Sequence, residues 1–124
     1  IASFAKRLDL SGSDQEVVTS EVSKNHKLTL STIALGYQGY RFNDRLYLYL
    51  YDRSYALHNQ NVSQKIDQYL NVDQLLKGTY RLSFYQTTDG QLIKSELVMI
   101  NSDNYQIILP NFRSDIALIL EKIN

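Results

Sequence analysis

The side chains that could do chemistry in this chain are two histidines, a scatter of carboxylates and ten tyrosines, with no cysteine at all. His26 and His58 are the natural candidates for a general base or a metal ligand, but neither has a His, Glu or Cys partner at ligand spacing. Each therefore reads as a surface strand or turn residue. Asp44, Asp52, Asp67, Asp73, Asp89, Asp103 and Asp115 fall mostly in turn-forming sequence, where Asp bonds nearby backbone, and no Asp-x-Asp-x-Asp run marks a calcium loop. The five glycines stand singly, which leaves no phosphate-cradling loop or dinucleotide fingerprint, and no Gly-x-Ser-x-Gly elbow is present. Absence of Cys removes thiolate nucleophiles, cysteine zinc sites and disulfides together. The expectation is a chain that is not an enzyme and needs no cofactor or metal. Asn61-Val62-Ser63 matches an N-glycosylation acceptor, which has meaning only in a eukaryotic secretory setting.

The tyrosines are more informative. Arg45-Leu46-Tyr47-Leu48-Tyr49-Leu50-Tyr51-Asp52 alternates strictly, placing leucines on one face of a strand and tyrosines on the other. Leucine carries no polar atom and each phenol must find a partner, so Leu46, Leu48 and Leu50 are assigned to the core and Tyr47, Tyr49 and Tyr51 to the outer face. Tyr37 and Tyr40, from a Gly36-Tyr37-Gln38-Gly39-Tyr40 loop, would join them in a candidate partner-binding surface. The plainer role for the same rings is a cross-strand aromatic ladder, and for the loop a turn whose tyrosines pack back on the sheet. A second layer over the phenols would exchange the Leu and Tyr roles.

The elements that must position these residues are short strands. Glu16 to Val22 follows the turn cluster Ser11-Gly12-Ser13-Asp14. His26 to Leu35 changes parity near Ser31-Thr32, which predicts a bulge. Asp52-Arg53-Ser54 turns the chain, and Tyr55-Ala56-Leu57 and Val62 to Ile66 read as short extended pieces. Asp67 to Leu76 fits either a turn of helix or an apolar corner. Thr79 to Gln86 is a strand with Tyr80, Leu82 and Phe84 on one face, and Thr87-Thr88-Asp89-Gly90 turns it into Leu92 to Ile100. Tyr105 to Leu109 follows, and Pro110 stops it. From Phe112 to Ile123, a helix capped at Ser114 or Asp115 competes with a buried strand, and the strand is preferred.

Length and charge narrow the class further. The 124 residues suit a single domain, 1–124. Thirteen basic and thirteen acidic side chains cancel, so neither nucleic acid nor an anionic membrane surface is an expected partner. No apolar stretch is long enough for membrane insertion, and a start at Ile1 is expected of a processed or trimmed product.

Three pieces carry a resemblance: Leu50-Tyr51-Asp52 before a turn, Leu75-Leu76-Lys77-Gly78-Thr79-Tyr80-Arg81-Leu82 leading into a strand, and Asp89-Gly90 before a closing apolar strand. Their order resembles bacterial immunoglobulin-like and fibronectin type III-like sandwiches, including small secreted Bacteroidetes proteins and sorting domains of gliding-associated secretion systems. The turn after Asp52 lacks the glycine common in the sorting domains, and 24 residues follow Ile100 where such a domain would be finished. The physical content of the central motif is a tyrosine corner, with Leu75 as a plug, Gly78 at the reversal and the Tyr80 hydroxyl on upstream backbone. The resemblance implies an all-β, immunoglobulin-like antiparallel β-sandwich of about seven to nine strands. It also implies a non-catalytic, extracytoplasmic binding, adhesion or structural module of a bacterial protein, with a protein or carbohydrate partner. The alternative is a small secreted or periplasmic inhibitor or assembly factor that works through an exposed strand edge.

Overall fold

The computed structural model describes residues 10–21, 26–53, 64 and 66–124. Within them lie nine strands: β1 (Glu16–Thr19), β2 (Leu28–Leu30), β3 (Leu35–Arg41), β4 (Arg45–Asp52), β5 (Tyr69–Asp73), β6 (Gly78–Tyr85), β7 (Leu92–Ile100), β8 (Asn104–Ile108) and β9 (Asp115–Lys122). They form two antiparallel sheets, ordered β1-β3-β4-β9-β6-β7 and β2-β5-β8. The architecture is all-β and sandwich-like, and one apolar cluster draws side chains from both sheets.

The alternation in β4 decides where that core sits. Leu46, Leu48 and Leu50 are fully buried between the sheets, with Tyr80, Leu82 and Phe84 of β6 and Ile116, Leu118 and Leu120 of β9 on the same face. Leu70, Val72 and Ile107 close the core from the smaller sheet. Strand β9 is central, paired with β4 on one side and β6 on the other. It is buried on both faces from Ile116 to Leu120, which is why it reads as a continuous apolar run. The strand is correct there, and the helix capped at Ser114 or Asp115 does not form.

Three local expectations are corrected. The parity change near Ser31-Thr32 is no bulge: β2 ends at Leu30, β3 begins at Leu35, and the two strands belong to different sheets. Gly36 to Tyr40 is not a loop but the middle of β3, held in continuous register with β4 from Leu35↔Asp52 to Arg41↔Leu46. Asp67 to Leu76 contributes strand β5, with Leu70 and Val72 inward, in place of a helical turn. A bulge does occur in the β6–β7 hairpin, where the register shifts between Phe84 and Tyr85. Tyr55-Ala56-Leu57, His58, Asn61-Val62-Ser63 and the first nine residues lie outside the described residues.

The tyrosine corner is present as expected. Leu75 is buried, Tyr80 is fully buried, and the Tyr80 hydroxyl donates a hydrogen bond to the carbonyl of Leu76. Gly78 sits at φ +154°, and a Cβ there would lie 2.6 Å from the Asn124 carbonyl oxygen, so the reversal requires glycine. Burial, reinforced by the Asp44 charge, pushes the Tyr80 phenol up to about 12, with Arg41 opposing. A folded-state value above the unfolded one means a stabilising contribution that is complete below pH 10 and is lost as pH rises through about 12. Burial also raises Tyr37, Tyr51 and Tyr105, so alkaline unfolding should set in over that window. Tyr80→Phe should cost about 1 to 2 kcal/mol at neutral pH and flatten the alkaline loss, both measured by urea denaturation. An unchanged midpoint would show that the hydroxyl bond contributes nothing.

Candidate partner-binding face

Period-two alternation carries the tyrosines of β4 to the outer face of the six-stranded sheet, opposite the leucines. Cross-strand pairing then sets Val17 beside Tyr40 and Tyr40 beside Tyr47 in one row, and Thr19 beside Gln38 and Gln38 beside Tyr49 in the next. Between these rows lies an open depression of about 470 Å³, floored by Gly39 and Leu48 and rimmed by Val17, Tyr40 and Tyr49. Its one large exposed aliphatic is Val17, at 68%.

Each phenol of β4 donates to a carboxylate. Tyr47 Oη reaches Glu121 Oε2 at 2.9 Å, Tyr49 reaches Asp115 Oδ2 at 2.8 Å, and Tyr51 reaches Glu21 Oε2 at 2.6 Å. Asp115 accepts a second bond from Thr87 Oγ1, 2.8 Å away. Charge-assisted bonds of this length hold the rings in place. Tyr49 and Tyr51 stack with centroids 5.5 Å apart and planes at 24°. The Tyr51 ring covers Gly36, where an added Cβ would stand 2.6 Å from its Cζ. Burial and the Glu21 bond both raise the Tyr51 phenol above its ordinary value.

The five tyrosines assigned to this surface separate into three groups. Tyr49 and Tyr51 are half-buried on the outer face and Tyr40 is half-buried beside them, as the alternation requires. Tyr47 is on the same face but only 1% exposed, because Phe42, Ala117 and Ile119 pack around it and Phe42 meets its ring edge-on at 6.1 Å. It belongs to a second, smaller apolar cluster that also gathers Tyr40 and Tyr85, and Arg45 lies 3.8 Å over the Phe42 ring. Tyr37 points the other way, into the main core at 6% exposure, because it shares parity with Leu35 and not with Tyr40. The docking surface as first assigned therefore loses Tyr37 outright and keeps Tyr47 only at the depression's wall. Val17, Thr19 and Gln38 were missed, although the alternation of Glu16–Thr19 around the buried Val18 carries the signal for two of them.

A second polar constellation sits at the edge of the core. His26 is 3% exposed, which corrects its assignment to the surface, and its Nδ1 lies 2.9 Å from Glu16 Oε2. Glu16 pairs across strands with Arg41, whose buried guanidinium donates through Nη2 to the carbonyl of Asp73 and so ties β3 to β5. Burial lowers the Arg41 value while Glu16, Asp73 and Tyr80 act to raise it. His26 Nε2 and Arg41 Nη1 have no hydrogen-bond partner among the described residues. The cluster is walled off from solvent on the histidine side and links the two sheets. Among the described residues no group of three His, Cys, Asp or Glu is placed to hold a metal ion, and no helix is long and apolar enough to cross a membrane.

Comparison with protein-family models, curated proteins and solved structures finds no match to this chain.

Proposed function

We propose that this chain is a non-catalytic, immunoglobulin-like binding module that works outside the cytoplasm of a bacterial cell and engages a protein partner on the outer face of β1, β3 and β4. The observation that carries the reading is the apolar depression between Val17, Tyr40 and Tyr49, with the Tyr49 hydroxyl already fixed by Asp115. Aromatic side chains immobilised before binding give contact area with little further loss of entropy, which is what a protein interface rewards. A carbohydrate partner would need a flat, free ring face, and one face of Tyr49 is already taken by Tyr51. The immunoglobulin-like relation is supported by the Leu75-Gly78-Tyr80 corner. The division into six and three strands is a departure from the usual split of such sandwiches. The extracytoplasmic and bacterial placement rests on the same resemblance.

The test is selection of peptides from a random display library on the wild-type domain, with a glycan array run in parallel. Peptides enriched on the wild type should bind Val17→Lys and Tyr49→Ala about tenfold or more weakly, since both side chains line the depression from opposite rows. Glycan binding that is abolished by Tyr49→Ala would replace the protein partner by a carbohydrate. Enriched peptides that bind both variants as well as the wild type would place the site elsewhere.

A further inference from the structure

Among the described residues the six-stranded sheet has a long open edge at β7, and the sequence of that strand is complementary to itself. Among the described residues no strand pairs with the outer side of this nine-residue strand. Its side chains are exposed from Leu92 to Leu97 and again at Met99, including the apolar Leu92, Ile93, Leu97 and Met99. An open strand of this length presents a row of backbone donors and acceptors to any other strand. From the geometry we infer that β7 joins β7 of a second copy of this chain, antiparallel and about a two-fold axis at Ser95, fusing the two six-stranded sheets into one.

The register is what commits the edge to a second copy. A two-fold axis normal to the sheet must pass through a residue that faces its own equivalent, because paired residues share a face. An axis at Ser95 sets Lys94 opposite Glu96 of the second copy, and Glu96 opposite its Lys94, so both charges are paired twice over. An axis at Lys94 or at Glu96 would instead bring like charges directly opposite, which destabilises a strand pair. An axis at Leu97 would leave both charges without a counterion across the seam. Within one chain Lys94 Nζ and Glu96 Oε2 already lie 3.5 Å apart on one face, the face shared with Tyr80, Leu82 and Phe84. Both side chains remain nearly half-exposed there, although Glu96 is close enough to Tyr105 of β8 for its charge to help raise that phenol. Two such pairs meeting head to tail would close into an alternating square of charge. On the opposite face Ile93, at the bulge, would meet Leu97 of the second copy and cover apolar surface that is otherwise in water. This edge is separate from the depression at β1, β3 and β4, so the two sites can be occupied together.

Sedimentation velocity over about 1 μM to 1 mM protein tests the inference, with the wild type, Lys94→Glu, Glu96→Lys and the double reversal run side by side. The wild type should pass from monomer to dimer within that range. Each single reversal turns two attractive contacts into two like-charge contacts and should weaken the dimer about tenfold. The double reversal restores opposite charges in the same register and should recover wild-type association. These side chains are exposed, and unchanged circular dichroism will show that each variant folds. A wild type that stays monomeric at every concentration would overturn the inference. So would a dimer indifferent to the single reversals, or a double reversal no better than either single one.

Discussion

Gly39→Ala should destabilise the domain by about 3 kcal/mol or more, measured as a shift in the urea midpoint at constant slope. Gly39 lies inside β3, paired with Leu48, and an ideal Cβ at that position would stand 1.9 Å from the Tyr47 carbonyl oxygen. No real carbon approaches backbone so closely, and the backbone atom cannot rotate away as a side chain could. The strand pair must open, carrying with it the register that sets leucines inward and tyrosines outward along β4. At Gly36→Ala the atoms met first belong to the Tyr51 side chain, which is able to swing aside, and the change should cost less. A Gly39→Ala protein with wild-type stability would mean that β3 and β4 are not as close as described.

Glu16→Ala should cost about 2 kcal/mol or more by the same measurement. Its carboxylate is the partner of the buried His26 and, paired across the strand with the buried Arg41, the largest of the charges that favour that cation. Removing it takes away the largest charge that favours the buried Arg41 cation and leaves only the weaker support of Asp73 and Tyr80, which is the expensive way to break such a pair. The side chain of Glu16 is itself one-third exposed, which keeps the figure below that of a fully buried pair. Arg41→Met should remove most of the penalty: the double variant Glu16→Ala with Arg41→Met is expected to lose less than the sum of the single changes. Strict additivity would show that the two side chains do not interact.

What the sequence allowed to be read, and what it concealed, follows from the range of the forces involved. Alternation is a local property, so the strands at 45–52, 79–85 and 105–109 were legible, as was the corner at Leu75, Gly78 and Tyr80, which is complete within six residues. The sheet to which a strand belongs is set by contacts distant in sequence. That is why the change of parity at Ser31 looked like a bulge when it marks the passage from the small sheet to the large one. The same limit hid the split within the tyrosines. Tyr37 and Tyr40 are three apart in one strand and so must face opposite ways, but a pair of glycines between and before them resembles a loop until β4 is laid alongside. Tyr47 is buried by Phe42 from the turn and by Ala117 and Ile119 from β9, seventy residues further on, and nothing near Tyr47 announces them. His26 appeared to lack a partner because Glu16 stands ten residues away, a spacing that belongs to no motif. Val17 went unmarked because a single exposed valine has no signature of its own.

The central claim is that the leucine face of β4 closes the core while the opposite face, rebuilt around Tyr40 and Tyr49, is open for docking. Nitration by tetranitromethane at neutral pH, read residue by residue by mass spectrometry, tests it most directly. Tyr40, Tyr49 and Tyr51 should be modified, and Tyr37, Tyr47 and Tyr80 should stay protected until the protein is unfolded. Modification of Tyr37 and Tyr47 at the rate of Tyr49, or full protection of Tyr49, would contradict it.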